Sequence, residues 1–204
     1  MSRLASLHRK TNETDIHLEL DLDGDGKDYQ HRTGVGFFDH MLDHIARHGR
    51  LRLRITAAGD THIDDHHTVE DVGIVLGQAL DKALGDKKGI ERYGYGVVPM
   101  DESLARVAVD LSGRAAFVFR VPWTGYGIDA PAIAGEKIGR FDVQLVQEFF
   151  NAVAQNAKMN LHIEVPWGDN NHHIAEAIFK AFARALRAAV AITGSDVPST
   201  KGVL

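Results

Sequence analysis

The chain has 204 residues, a net charge of −5, twelve histidines and no cysteine. This length is sufficient for one large domain or two small ones with hydrophobic cores. Without cysteine there can be neither a disulfide framework nor a cysteine-ligated zinc site, and the negative charge argues against a nucleic-acid-binding protein. Because the sequence shows no signal-peptide pattern and no apolar run of the roughly 18 residues that a membrane helix needs, we expect a cytoplasmic protein that does not bind membranes.

The first half of the chain combines strand and helix patterns. Residues 16–22 alternate between apolar and polar side chains, which predicts a half-buried strand. A turn at 23–26 then predicts a hairpin whose return strand spans 29–33. Further elements are a helix over 37–49 with Gly49 as its C′ residue, a strand over 51–55, a loop over 57–65 and a helix from 66 to about 85.

The second half repeats this order. Strands are predicted at 94–100, 104–111, 115–121 and 159–165, helices at 141–157 and 171–190, and a connection containing glycine and proline at 126–139. Two stretches also align without gaps, because His40 to Leu53 spans the same distance as Glu148 to Leu161. The sequence therefore predicts an internal duplication of a strand-strand-helix-strand-helix unit. We expect repeat units at 1–90 and 91–193 and a tail at 194–204, together forming one compact domain.

One pentad opens a helical pattern in each half. The two copies are His66-His67-Thr68-Val69-Glu70 and His172-His173-Ile174-Ala175-Glu176. On a helix, residues i and i+4 share a face, whereas residue i+1 points about 100° away. The first histidine and the glutamate of each pentad can therefore converge, while the second histidine diverges. Since imidazole and carboxylate groups suit Mn, Fe, Co or Zn, the two copies indicate two metal sites.

The duplication suggests how the ligands are grouped. It places Glu148 in the structural role of His40, although a carboxylate on a helix surface would by itself be ordinary. One ion would take His66, Glu70, Glu148 and His173, and the other His40, His67, His172 and Glu176. Because the second histidine of each pentad points away from its own helix's site, it could be supplied by a neighbouring subunit.

Four motifs carry a family resemblance. They are GFFDHMLDH at 36–44, DDHHTVED at 64–71, DNNHHIAE at 169–176 and PSTKG at 198–202. In this order they resemble the imidazoleglycerol-phosphate dehydratases of histidine biosynthesis. The resemblance implies an α/β (α+β) fold, built from two units of a four-stranded sheet and two helices of the ribosomal protein S5 domain 2-like kind. It also implies two Mn²⁺ ions per active site, a small phosphorylated imidazole substrate and a homo-oligomer of 24 subunits with sites between subunits.

The resemblance also implies roles for individual residues. The metal ligands would be His40, His66, His67, Glu70, Glu148, His172, His173 and Glu176. Many family members have histidine where this chain has Glu148, and glutamine is frequent where it has His44. The substrate and phosphate contacts would be Glu13, His44, Arg92, Arg114, Lys180, Ser199 and Lys201. The catalytic carboxylates would be Glu13, Glu70 and Glu176.

The implied reaction dehydrates imidazoleglycerol phosphate to imidazoleacetol phosphate. It removes a carbon-bound proton next to an imidazole and expels a hydroxyl group. A metal-bound imidazolate could accept the electrons through a diazafulvene-like intermediate, and Glu13 is the candidate acid/base, although an ordinary surface glutamate explains it nearly as well. Two alternatives remain open. The chain could be a dinuclear-metal hydrolase of phosphate esters, or a non-catalytic shell protein assembled by metal ions.

Overall fold

The structure is a computed structural model that describes residues 3–123 and 137–202. The strands in these ranges are β1 (Leu4–Lys10), β2 (Thr14–Asp21), β3 (Tyr29–Arg32), β4 (Arg52–Gly59), β5 (Tyr93–Met100), β6 (Ser103–Asp110), β7 (Ala116–Arg120), β8 (Lys137–Ile138), β9 (Phe141–Asp142) and β10 (Asn160–Trp167). The helices are α1 (Gly36–Gly49), α2 (His66–Leu84), α3 (Gln144–Asn156) and α4 (Asn171–Ala189). Within the described ranges, no helix is both long and apolar enough to cross a membrane.

The strands form two four-stranded sheets and one small ribbon. The first sheet has the order β1-β2-β4-β3 and the second the order β5-β6-β10-β7, while β8 pairs with β9. In the first sheet β1, β2 and β4 are antiparallel and β3 runs parallel to β4. In the second sheet β5, β6 and β10 are antiparallel and β7 runs parallel to β10. Identical order and direction in both sheets confirm the predicted α/β fold with an internal duplication.

The repeat also keeps its spacing. β4 and β10 each have eight residues and begin 108 positions apart, at Arg52 and Asn160 (160 − 52). α1 and α3 begin the same distance apart, at Gly36 and Gln144 (144 − 36). Each unit has three strands of its four-stranded sheet before its first helix. Three were predicted in the second half, but only two in the first half, where β1 was not predicted.

The predicted hairpin between residues 16–22 and 29–33 is wrong. Both segments are strands, but β4 lies between them, and Tyr29 of β3 pairs with Leu53 of β4. A hairpin needs an antiparallel pair joined by a short turn. Local alternation of apolar and polar residues predicts that a segment is a strand, but not which strand it pairs with. The position of β3 at the sheet edge, parallel to β4, therefore could not be predicted from this pattern.

The helices form the core between the two sheets. α2 packs on β1, β2 and β4, and α4 packs on β5, β6 and β10. Each also packs on a helix of the other half, in the pairs α1–α4 and α2–α3. The α2–α3 pair approaches closely at Gly73, where a Cβ atom would lie 2.7 Å from the carbonyl oxygen of Phe149. These cross-half pairs place the start of each pentad helix beside a helix of the opposite repeat.

Several predicted boundaries shift in the structure. Phe141 was predicted to be helical but lies in β9, and α3 begins only at Gln144. Gly49 is the last residue of α1, while Arg50 takes the left-handed conformation with φ of 55° that was expected of the glycine. The strand predicted to end at residue 55 continues to Gly59. Most of the predicted connection at 126–139 and the last two residues of the tail lie outside the described residues.

Candidate active site

Polar side chains fix the first turn of both pentad helices. At α4, the Oδ1 atom of Asn170 accepts hydrogen bonds from the backbone N–H groups of His172 and His173, at 2.9 and 3.4 Å. At α2, the Oδ1 atom of Asp64 accepts from the N–H group of His66 at 2.8 Å. Such bonds satisfy backbone donors that have no partner within a helix. Each histidine pair therefore lies in the first turn of its helix.

The second pentad forms a cluster around one carboxylate. The Oε1 atom of Glu176 lies 3.0 Å from His40 Nε2 and 3.1 Å from His172 Nε2. His44 Nε2 lies 3.5 Å from the same oxygen. His40 and His44 come from α1, so the α1–α4 contact brings the two halves of the chain together here. One potential ligand atom from each of His40, His44 and Glu176 lies within 4.8 Å of the other two, which is compact enough for one ion.

A lysine completes this cluster. Lys180 lies one turn after Glu176 and donates to its Oε2 atom at 2.6 Å and to Met100 Sδ at 3.3 Å. Burial alone would raise the pKa of Glu176, but hydrogen bonds from Lys180, His40 and His172 outweigh it and hold that pKa well below its ordinary value. Burial lowers the pKa of His44 to about 4. At neutral pH the cluster therefore combines an ionised carboxylate with a neutral His44, both of which can bind a metal ion.

The first pentad is more open. His66 Nε2 lies 3.7 Å from Glu70 Oε2, and these side chains are 40% and 42% exposed. Glu148 is half-buried on α3, the helix that packs on α2. The convergence of the first histidine and the glutamate that was inferred from helical spacing is thus present in both pentads, but at different distances.

The second histidines lie apart from these sets within one chain. The Nδ1 atom of His67 is 2.9 Å from Asp60 Oδ2, and its Nε2 atom is 3.9 Å from Glu13 Oε1. The Nδ1 atom of His173 is 2.7 Å from Glu102 Oε2. The hydrogen bond with Asp60 raises the pKa of His67, and the bond from His173 lowers the pKa of Glu102 to about 2. Each predicted four-ligand set is therefore brought together only in part by a single chain.

Arg92 is held between the body of the protein and the tail. Its guanidinium group donates to both carboxylate oxygens of Asp110, at 2.7 and 3.2 Å, and to the carbonyl oxygen of Pro198 at 2.8 Å. The hydrogen bond with Asp110 raises the pKa of Arg92. Ser199 follows the tail contact directly, and its Oγ atom accepts from the N–H group of Lys201 at 3.2 Å. This contact places the predicted phosphate residues of the tail near Arg92.

The other predicted substrate contacts lie on the surface. The Glu13 side chain is 54% exposed, in the turn between β1 and β2. Arg114 and Lys201 are exposed, and the backbone carbonyl oxygen of Arg114 accepts hydrogen bonds from the side chains of Ser112 and Asn160. Exposed cations can bind an anionic group without first breaking a buried contact.

Comparison with known proteins identifies the family. The family model described as "Imidazoleglycerol-phosphate dehydratase" matches residues 33–186. The chain belongs to this family. It is 56% identical to the imidazoleglycerol-phosphate dehydratase of Desulforamulus reducens and 55% identical to that of Ralstonia nicotianae, with 100% of both chains covered in each case. The crystal structure of the Staphylococcus aureus dehydratase superposes with a TM-score of 0.80 at 42% identity, covering 93% of this chain and 99% of that chain.

A second solved structure agrees with this assignment. The dehydratase of Pyrococcus furiosus gives a TM-score of 0.79 at 36% identity over 97% of this chain and 100% of that chain. The resemblance inferred from the four motifs is therefore confirmed, and the chain is a member of a hydro-lyase family. The roles assigned to individual residues stay predictions.

Sequence reasoning missed three acidic partners of the predicted dehydratase site. They are Asp60 beside His67, Glu102 beside His173 and Asp110 beside Arg92. A pattern search selects residues that bind a ligand, whereas these carboxylates bind other side chains. Of the three, only Glu102 could have been found from the sequence. It directly precedes the second strand of its repeat, as Glu13 does in the first repeat.

Proposed function

We propose that this chain removes water from imidazoleglycerol phosphate to give imidazoleacetol phosphate, a step of histidine biosynthesis. The observation that carries the proposal is the family match over nearly the full chain, together with a histidine and carboxylate set at the start of both α2 and α4. A cytoplasmic location stays an expectation from the sequence.

Two Mn²⁺ ions are proposed per active site. The donors suit this metal, because imidazole nitrogen and carboxylate oxygen are ligands for borderline divalent ions. One ion would be held by His40, His172 and Glu176 with His67 of another subunit, and the other by His66, Glu70 and Glu148 with His173 of another subunit. When bound, such ions supply Lewis-acid stabilisation of negative charge that develops on the substrate.

The assembly proposal follows from the same geometry. Within one chain His67 and His173 contact Asp60 and Glu102 rather than the clusters of their own helices. If each completes a set on a neighbouring copy, the active sites lie between subunits, which agrees with the 24-subunit homo-oligomer that the family resemblance implies. Native mass spectrometry would test this number, and a monomer that binds both ions would contradict it.

The phosphate group is proposed to bind a cationic cradle. Arg92, Arg114 and Lys201 supply charge, Lys180 lies at the edge of the Glu176 cluster, and Ser199 adds a hydroxyl donor. Arginine suits this role because its planar guanidinium group can donate two parallel hydrogen bonds. The Arg92–Pro198 contact supports a tail that folds over the phosphate and excludes water.

Glu13 is proposed to move the proton. Its carboxylate is largely exposed and lies 3.9 Å from a ring nitrogen of His67, so it adjoins a proposed metal ligand without a short hydrogen bond to it. In the reaction it would take the proton from the side-chain carbon whose hydroxyl group becomes the ketone oxygen. It would return that proton to the hydroxyl group on the carbon attached to the imidazole ring, which leaves as water, and the resulting enol would relax to the ketone. Glu70 and Glu176 would act through charge at the metal positions.

The decisive experiment follows two products. The protein is stripped with a chelator, Mn²⁺ is restored, imidazoleglycerol phosphate is added, and both the ketone and free phosphate are measured. We expect Mn²⁺-dependent ketone without phosphate release. Phosphate release would instead indicate the hydrolase, and binding of Mn²⁺ with neither product would indicate the non-catalytic shell protein.

An Arg92→Ala, Lys201→Ala double variant tests the phosphate cradle in the same assay. Loss of two cations should raise the KM for the substrate by at least tenfold. Wild-type kinetics in this variant would remove both residues from the proposed cradle.

A further inference from the structure

Each half of the chain places a glutamate directly before its second strand. Glu13 precedes β2 and Glu102 precedes β6, and both strands have eight residues. The strands begin at Thr14 and Ser103, so the duplication gives Glu102 the position in the second half that Glu13 holds in the first. The chain therefore carries two carboxylates at the position of the proposed acid/base.

The surroundings of these carboxylates differ. Glu13 lies 3.9 Å from a ring nitrogen of His67 and is 54% exposed. Glu102 is engaged at both oxygens. Its Oε2 atom lies 2.7 Å from His173 Nδ1, while its Oε1 atom accepts from the Ser103 hydroxyl at 2.9 Å and from the N–H group of Asn170 at 3.0 Å. Glu102 is therefore fixed in place, whereas the Glu13 carboxylate is largely exposed and accessible to a bound molecule.

A glycine explains why the halves differ. In the first half, the Nδ1 atom of His67 is bound by Asp60, the residue that directly follows β4. The residue that directly follows β10 is Gly168, which has no side chain to offer. A Cβ atom there would lie 2.6 Å from Ser103 Oγ and 2.7 Å from a side-chain carbon of Ile174, so an aspartate does not fit. The carboxylate that binds the second histidine of this pentad must come from another element.

We propose that Glu102 is a positioning residue that orients His173 for metal binding, and that this role leaves Glu13 as the carboxylate available for proton transfer. The inference rests on the proposed function, in which His173 is a Mn²⁺ ligand. A neutral imidazole carries one N–H group, and an ionised carboxylate can only accept a hydrogen bond. Glu102 therefore holds the proton on Nδ1 and leaves the Nε2 lone pair free to bind an ion, as outer carboxylates of metal-binding histidines do.

The main variant is Glu102→Gln. Its amide oxygen can still accept from the backbone of Asn170, but the amide N–H₂ group cannot accept the Nδ1 proton of His173. We expect the affinity for one of the two Mn²⁺ ions to fall about 10- to 100-fold, the range seen when such outer partners are lost. Mn²⁺ titration of the chelator-treated, full-length protein, followed by electron paramagnetic resonance of free Mn²⁺, measures this directly. Saturating Mn²⁺ should restore most of the turnover.

Three further variants separate the effects of charge, position and catalysis. Asp101→Asn removes the same charge one residue away, where the carboxylate lies 3.7 Å from the other ring nitrogen of His173, Nε2. It should change Mn²⁺ affinity less than threefold. Glu13→Gln should keep wild-type Mn²⁺ affinity and lose turnover that no Mn²⁺ concentration restores. Glu102→Asp keeps a carboxylate, so its Mn²⁺ affinity should lie between those of Glu102→Gln and the wild type. If Glu102→Gln does not fold, Glu102→Asp takes its place in the titration.

The Mn²⁺ titrations and the ketone assay can contradict the role of Glu102, the proposed reaction, or both. Wild-type affinity for both ions in the Glu102→Gln variant overturns the inference, and so does an equal loss in the Asp101→Asn variant, which would assign the effect to charge alone. A wild-type protein that binds Mn²⁺ but forms no ketone overturns the proposed reaction while the affinity comparison still decides the role of Glu102. A wild-type protein that binds no Mn²⁺ overturns both.

Discussion

The two pentads have the same spacing but different neighbours. Glu176 is 9% exposed and meets His40, His172 and Lys180, whereas Glu70 is 42% exposed and lies 3.7 Å from His66. One difference lies one turn further along each helix, where the second half has Lys180 and the first half has Ile74. The duplication preserved the histidine and glutamate positions, but the residues around them differ. The glutamate of the second pentad is therefore buried beside a lysine, whereas that of the first pentad is exposed.

The largest expected effects follow from replacing Glu176 or Glu70, the glutamates of the two pentads. Both Glu176→Gln and Glu70→Gln should lower turnover by at least about 100-fold, because each removes the charge of a proposed metal ligand. Only Glu176→Gln should also destabilise the metal-free protein, by about 1–3 kcal/mol, because it leaves the half-buried Lys180 without its carboxylate. Kinetics and urea unfolding of both variants measure the difference. Equal loss of stability in the two variants would contradict the contrast between the clusters.

A packing contrast comes next. Gly94 of β5 corresponds by strand register to Ala5 of β1, since they pair with Val109 and Leu20 at equivalent places. A Cβ atom at Gly94 would lie 1.9 Å from the carbonyl oxygen of Ala185 in α4. Gly94→Ala should therefore destabilise the protein by about 3 kcal/mol, at the upper end of overpacking costs.

The control for this contrast is the reverse change in the first half. Ala5→Gly should cost only about 1 kcal/mol, mainly through the added backbone freedom of glycine. Thermal unfolding of both variants provides the measurement. A Gly94→Ala protein as stable as the wild type would show that α4 does not approach β5 this closely.

The lysine of the second cluster can be tested against its counterpart. Lys180→Met should strengthen Mn²⁺ binding severalfold, because a cation 2.6 Å from Glu176 opposes binding of a second cation. The same change should raise the substrate KM about tenfold if Lys180 also contacts the phosphate group. Ile74→Met changes the equivalent position to the same residue and should affect neither quantity. Weaker Mn²⁺ binding in Lys180→Met would mean that the lysine supports the site rather than competing with it.

The smallest expected effect is on the pH dependence of stability, and it arises in the edge strands β3 and β7. His31 of β3 pairs with Ile55 as Phe119 of β7 pairs with Ile163, so the first half has a buried histidine where the second has phenylalanine. Burial lowers the pKa of His31, although Asp43 partly opposes this. The unfolded chain therefore binds the proton more readily, and stability that is present above pH 6.5 is lost as the pH falls through the lowered pKa of the folded state.

His31→Phe should reduce this acid sensitivity by about 1 kcal/mol while leaving stability at neutral pH nearly unchanged. Urea unfolding of the metal-free wild type and variant at about pH 7.5 and about pH 5.5 gives the comparison. An unchanged pH dependence would mean that other histidines, not His31, account for the acid sensitivity.

Much of the fold could be predicted from the sequence because it follows from local periodicity. The 3.6-residue pattern after each pentad defined α2 and α4 to within a residue or two, and the i, i+4 relation predicted that His172 and Glu176 converge. The repeat was visible because spacing is kept between helices and strands. Family motifs supplied the enzyme class, which no periodicity could have given.

Tertiary structure decided what depends on partners distant in the chain. The pairing of β3 with β4, the entry of His44 into the Glu176 cluster and the contact of Arg92 with Asp110 each join segments that local patterns do not relate. Sequence alone thus determined which side chains each helix and strand presents, because that follows from backbone geometry. Only the packed fold decided which carboxylate each histidine meets, because that depends on how close two elements can approach, as the absence of a side chain at Gly168 illustrates.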